Sequence, residues 1–368
     1  MNNVQMVLVA ILAGFVATPA SRAAAPASAT EQQLAPYSTP QLGVHVGKGR
    51  TLNLVCLGHG SPTVILSAGL DAWSVWWFAI QPTLAKRTRV CSWDRAGFGF
   101  SSPSAEPQDT AHTTGDLERA LKTARIGGPY VMVGHSMGAY EALRFTDLHR
   151  KDVIGMVLVD PAIPDTFAVA QRIAPQFARM SHAVNAQHVK QLQDCAAELR
   201  PGTLKHTDPQ YERCTATPVP LDPPLKAAIT RLNADPARLM TQASTEKEFD
   251  TVDSRQVVNA QRHYDDMPLI VLTAGRYESS ALAALSALPP GTPGAGTPEE
   301  LAELRKQTSQ FVRDAWGPAH DAYAALSTRG RNELVDSGHN IPINKPEVVI
   351  SAVTEVLNQI RPSAPHDP

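Results

Sequence analysis

One pentapeptide in the chain has the composition and spacing of a nucleophile site: Gly134-His135-Ser136-Met137-Gly138. It follows an apolar run, 130–133, that reads as a buried strand, and it precedes a helix-compatible segment from Ala139 to His149. The G-x-S-x-G pattern seats a serine on a sharp strand-to-helix turn with its hydroxyl exposed. Glycines suit such a turn because residues without a Cβ let strand and helix approach closely. A serine hydroxyl is a weak nucleophile at neutral pH, so it needs a neighbouring base. That base in turn needs a carboxylate to fix its tautomer.

Several elements must bring those groups together. Gln41–Val46 and Thr51–Leu57 alternate as a hairpin joined at Gly47-Lys48-Gly49. Thr63–Ser67 and Val153–Val159 read as buried strands, Thr88–Trp93 as another strand, and Gly115 to Arg125 as an amphipathic helix. A helix is also expected from Trp73 through Leu84. Strands alternating with helices imply parallel pairing with right-handed crossovers, hence an α/β sheet covered on both faces. The alternation stops between Ala162 and His263, where helical segments and prolines dominate, and an inserted helical cap is expected over 162–266. The core then comprises 40–161 and 267–362, with Pro268–Thr273 resuming the sheet and a Pro/Gly-rich loop at 285–299. Helix is expected over Pro298–Leu326, interrupted at Gly317-Pro318, then a strand over Asn332–Val335 and a closing helix over Pro346–Ile360.

The 368 residues are 43% apolar and 18% charged, with a formal net charge of −2. No basic block is present, which argues against a nucleic-acid partner. Residues 1–29 read as a signal peptide with cleavage candidates after Ala23, Ala25 or Ala29, so the chain is expected to be exported, periplasmic or secreted. The apolar core of that segment is too short for a comfortable membrane span, and none is expected in the mature protein. Export would favour disulfides. Cys195 and Cys214 are expected to pair, whereas Cys56 and Cys91 are either a pair or two buried thiols. No spacing resembles a metal site, and no cofactor is expected.

From about residue 40 to 360 the chain resembles the α/β-hydrolase superfamily, in its cap-bearing serine esterase and lipase-like group. The resemblance rests on Ser-Trp-Asp-Arg-Ala-Gly-Phe-Gly-Phe-Ser at 92–101, the pentapeptide at 134–138, Val-Leu-Val-Asp-Pro at 157–161 and Asp-Ser-Gly-His-Asn at 336–340. It implies a mostly parallel eight-stranded sheet with the active site at the carboxyl ends of its strands. It also implies that His339, following the last strand, is the base for Ser136. The acid is expected at Asp160, at the end of the strand after the elbow helix, with Glu278 as the alternative. Oxyanion donors are expected at the backbone N–H of Met137 and at Leu70, with Asp71 second to Leu70. Trp73, Trp76 and Trp77 are candidates for the substrate pocket. His135, next to the nucleophile, is grouped with that pocket as a support of the turn, and Asp94-Arg95 is expected to hold a turn.

The expected activity is cleavage of small-molecule carboxylic esters through an acyl-enzyme. A serine aminopeptidase or amidase would use Glu246, Glu248 or Asp250 to bind a substrate amine, and a carbon–carbon bond hydrolase would share the fold. A binding protein that kept the fold and lost catalysis is the alternative from another class.

Overall fold

The computed structural model describes residues 31–202, 204–216, 223–286 and 297–360. The expected signal peptide, 1–29, and most of the expected Pro/Gly-rich loop lie outside them. Eight strands form one sheet: β1 (Leu42–Gly47), β2 (Arg50–Leu57), β3 (Thr63–Ser67), β4 (Val90–Trp93), β5 (Tyr130–His135), β6 (Val153–Val159), β7 (Leu269–Ala274) and β8 (Gly330–Val335). Their order is β1-β2-β4-β3-β5-β6-β7-β8. Only β2 pairs antiparallel to its neighbours; from β4 onward every pairing is parallel.

The central strands are continuous apolar runs because both faces are covered. Alternate residues divide between two cores. Val64, Leu66, Val131, Val133, Val157, Val159, Ile270 and Leu272 face one side. Ile65, Met132, Met156, Leu158, Leu269 and Val271 face the other. The second core is closed by helices α1 (Thr110–Thr123) and α2 (Gly138–Leu148), through Leu117, Leu121, Ala142 and Leu143. Helix α1 begins earlier than its periodicity suggests because Asp109 caps it, accepting from the His112 amide.

Between β6 and β7 the described chain is helical, as α3 (Thr166–Ile173), α4 (Pro175–Leu199), α5 (Pro209–Thr215), α6 (Pro223–Asn233) and α7 (Pro236–Glu248). Helix α7 packs along α4. It is pinned to the core by Arg238, whose guanidinium donates to the carbonyls of Ser101 at 2.7 Å and Gly99 at 2.8 Å. A Cys195–Cys214 disulfide ties α4 to α5, and Cys56–Cys91 is also a disulfide. The second pair becomes possible because β2 and β4 set Cys56 directly opposite Cys91.

After β7 come α8 (Tyr277–Ser286), α9 (Pro298–Phe311), α10 (Gly317–Ala324) and, after β8, α11 (Pro346–Ile360). The helix does not stop at Gly317-Pro318. A π-helical turn over Val312–Trp316 carries α9 into α10. The helix expected from Trp73 to Leu84 is replaced by a 3₁₀ turn, Ser74–Trp77, and one short turn, Gln81–Leu84. Polar groups of the core hold these turns in place. Asp94 accepts from the Ser74 amide, and the Gln81 side chain donates to the carbonyls of Val55 and Val90.

A second π-helical turn, Phe249–Asp253, seats the cap against α1, where Asp253 accepts from the Thr110 amide at 2.6 Å. Burial, first, and then the charges of Asp109 and Glu141 push the Asp253 carboxyl up to about 7, against the pull of Thr110. The native carboxyl therefore keeps its proton between its ordinary value of 3.8 and about 7, while the unfolded chain releases it. The native state binds the extra proton across that window, so stability from this group falls as pH rises through it. Asp253→Asn removes the titration. Its melting temperature relative to the unsubstituted protein should climb from about pH 4 to about pH 8, and parallel curves would contradict the assignment.

Candidate active site

Three loops at the carboxyl ends of β5, β6 and β8 converge. Ser136 follows β5 with φ +53°, a left-handed backbone that a non-glycine residue adopts only under constraint. Its amide donates to the Val159 carbonyl of the neighbouring strand, and its carbonyl accepts from Ala139 and Ala162. Two glycines make room around it. A Cβ on Gly138 would lie 2.2 Å from the Ser67 carbonyl oxygen, and one on Gly69 would lie 3.2 Å from Ser136 Cβ. The loop after β3 can therefore press against the elbow.

Asp160 follows β6, is fully buried and also has a positive φ, +40°. Its amide donates to the Leu272 carbonyl at 2.6 Å, which locks it between β6 and β7. One carboxylate oxygen accepts from the Ala274 amide at 2.9 Å and the Trp316 indole at 3.3 Å. The other faces His339 Nδ1 at 2.6 Å. Burial favours the neutral acid, but the bond from His339, the nearby His320 and the Ala274 amide outweigh it and hold the carboxyl below its ordinary value. An ionised carboxylate only accepts, so Nδ1 carries the proton. Nε2 of His339 is then the basic nitrogen, and it is buried with no partner among the described residues.

The expected residues do not all come together. Asp160 holds His339, and His135, the residue before Ser136, bonds the His339 carbonyl, so the three expected residues lie on neighbouring loops. Glu278 does not join them: it lies half-buried in the first turn of α8, while His339 is held by Asp160. His135 sits behind His339 and does not line the cleft. Its Nε2 donates to the His339 carbonyl at 3.1 Å, and burial, followed by the proximity of His339, lowers it to about 3. It is a neutral support of the His339 loop.

The tryptophans require correction. Trp73 packs with Tyr37, Phe98 and Leu225, and Trp76 and Trp77 belong to the main core. All three are buried, Trp73 against Leu225 of α6 and Trp76 and Trp77 within the main core, and none lines the cleft. The cleft beside Ser136, about 630 Å³ out to its open mouth, is lined by Phe167, Phe177, Phe249, Tyr277, Phe311 and Trp316. These come from the cap and from helices after β7. Phe249 opens one π-helical turn and Trp316 closes the other. Trp316 escaped the sequence reading, since its second task, a hydrogen bond to a carboxylate 156 residues away, leaves no local pattern.

Met137 and Leu70 are buried together beside the elbow. Neither backbone N–H donates to another backbone group among the described residues. Met137 sits at the start of α2, where helix amides and dipole favour negative charge. The loop bearing Leu70 is clamped by Arg95. Its guanidinium pairs with Glu141 of α2 through two bonds, at 2.6 and 2.8 Å, and donates to the carbonyls of Ala68 and Gly69. Arg95 therefore holds the candidate donor loop against the elbow helix. Asp94 braces the adjoining turn, accepting from Asn53, Ser74 and Phe100.

Glu246 is buried outside the cleft, and Glu248 does not line it either. The side chain of Asp250 lies outside those described. Asp71, His188 and Glu246 have side-chain donor atoms within 4.8 Å of one another, the spacing a cation would need. Cys195, Glu198 and Cys214 are as close, but their sulfurs are bonded to each other.

A planar five-donor fork cannot be replaced by an ammonium at such a clamp. Arg95→Lys should speed hydrogen exchange of the 68–72 amides roughly tenfold, about 1.4 kcal/mol of local opening. Unchanged exchange there would remove Arg95 from this role.

A family model of the alpha/beta hydrolase fold matches residues 54–187. The chain is similar to the uncharacterized protein YqjL of Bacillus subtilis (strain 168), 32% identical over 108 residues, 29% of this chain and 43% of that protein. The aligned stretch thus spans less than half of that relative. Among solved structures it resembles epoxide hydrolase CorEH, with TM-score 0.54 and 17% identity over 86% of this chain and 98% of that one. It also resembles a thermophilic esterase from Thermogutta terrifontis, with TM-score 0.50 and 18% identity over 88% of this chain and all of the other (100%). These structural likenesses speak to fold alone. Among the described residues, no helix is long and apolar enough to cross a membrane. With its sheet order and these matches, the chain has the α/β-hydrolase fold, and residues 54–187 match that fold's family model.

Proposed function

We propose that the protein is a serine hydrolase that cleaves carboxylic esters through an acyl-enzyme, with Ser136, His339 and Asp160 as its triad. The observation that carries this is a buried imidazole tethered at Nδ1 by an ionised carboxylate and bare at Nε2, its loop bonded by His135, the residue before a serine on a strained elbow. His339 Nε2 takes the proton from Ser136 Oγ as the hydroxyl attacks the ester carbonyl. The tetrahedral oxyanion is met by the N–H groups of Met137 and Leu70. The imidazolium, stabilised by Asp160, then protonates the leaving alcohol. Water, deprotonated by the same nitrogen, attacks the acyl carbon; the acid leaves and the imidazolium returns its proton to Ser136 Oγ.

The apolar cleft favours an ester with a hydrophobic arm. An amine-binding peptidase reading has less support, because Glu246 is turned toward Asp71 and His188 and not toward the cleft. We also read the chain as exported, a reading supported by its two disulfides.

A fluorophosphonate should form an adduct on Ser136, located by peptide mass, that is lost in His339→Ala. Asp160→Asn should lower kcat toward a short-chain ester on the order of 10⁴-fold by leaving the wrong tautomer, whereas Glu278→Gln should leave it unchanged. Folded protein that forms no adduct with either a long or a short phosphonate would favour a binding protein over an enzyme.

A further inference from the structure

The cap wall of the cleft carries a hydroxyl with nothing to bond. Ser181 of α4 lines the cleft and is 4% exposed, and its Oγ has no hydrogen-bond partner among the described residues. Helical hydroxyls ordinarily turn back to the carbonyl four residues earlier. This protein uses that bond repeatedly: Thr146 donates to Ala142 at 2.7 Å, Thr308 to Leu304 at 2.8 Å and Thr215 to Tyr211 at 2.9 Å. Ser181 makes no such bond to Phe177.

A buried hydroxyl without a partner opposes folding, and alanine would fill the same place without that penalty. Other polar groups around the cleft are committed. Thr166 donates to the Ile163 carbonyl, and the Trp316 indole donates to Asp160. Ser136 is the nucleophile in the reading above. The walls beside Ser181 are otherwise small or aromatic, with Ala178, Phe177 and Phe249 among them. A hydrocarbon arm would leave the hydroxyl unsatisfied, whereas an arm with one polar atom would satisfy it.

We propose that Ser181 is a specificity-determining residue whose hydroxyl bonds a single polar group on an otherwise apolar substrate arm held under the cap. The preferred substrates are then esters of hydroxylated aryl-alkyl acids or alcohols, not of the matching hydrocarbons. This rests on the ester-hydrolase reading, and the test separates the two.

The probes are para-nitrophenyl phenylpropanoate and its ortho-, meta- and para-hydroxyphenyl counterparts, together with phenethyl acetate and its ring-hydroxylated counterparts. In at least one series the unsubstituted enzyme should prefer a hydroxylated member by kcat/KM. Ser181→Ala should reduce that preference roughly fivefold, the scale of one neutral hydrogen bond, and Ser181→Thr should restore it. Because the readout is a ratio within one protein, a general loss of activity or folded fraction cancels. Absence of any preference, or a preference unchanged in Ser181→Ala, overturns the proposal. If no ester is turned over, the functional reading fails on its own. Binding of phenylbutanone and its hydroxyphenyl analogues, followed by tryptophan fluorescence, then decides: a hydroxyl preference lost in Ser181→Ala upholds the role, and an unchanged one removes it.

Discussion

A 2.6 Å hydrogen bond from His339 Nδ1 to a fully buried Asp160 joins the ends of β6 and β8. Desolvation opposes an ionised carboxylate at that depth. Asp160 remains charged there because three elements around it donate: the Ala274 amide from the end of β7, the Trp316 indole from the π-helical turn, and His339 itself. The positive φ at Asp160 turns the carboxylate across the sheet edge toward those donors. Remove the sheet order and the ion has no partners; remove the ion and the imidazole loses its fixed tautomer.

The same constraint shapes the surroundings. His135, neutral because it is buried beside the base, holds the His339 backbone from behind. Tyr277 and Trp316 stack with ring centroids 4.7 Å apart and meet His339 edge-on, so walls of the cleft are also walls of the imidazole's socket. On the opposite side, the Arg95–Glu141 pair fixes the Leu70 loop to the elbow helix. A buried pair of this kind adds little net stability, but its fork geometry dictates where two backbone carbonyls must lie.

Much of this was legible in the chain, for identifiable reasons. Strands β3, β5, β6 and β7 are buried on both faces, so they read as unbroken apolar runs, and the elbow glycines are forced by backbone contacts under 3 Å. Ser136 and Asp160 each follow such a strand directly, so placing those strands placed the two residues; His339 lies in the loop after the partly exposed β8 and was placed by the resemblance. The cleft was not legible. An aromatic run such as Trp73–Phe78 has the same composition whether it faces a core or a pocket, and only the packing of the cap decides. The cleft's aromatics are scattered over 167–316, with two π-helical turns that no periodicity announces. Nor does Arg95 advertise a role exerted on backbone carbonyls. Pairing of Cys56 with Cys91 required the β2–β4 register, which is a tertiary fact.

The central claim is that Asp160 holds His339 as the Nδ1–H tautomer with Nε2 free for Ser136. Nitrogen-resolved proton NMR of protein labelled with ¹⁵N-histidine reads that tautomer directly, with His339→Gln supplying the assignment. A strongly downfield proton bonded to Nδ1 of His339 is the predicted result. A proton on Nε2 with Nδ1 bare would contradict it.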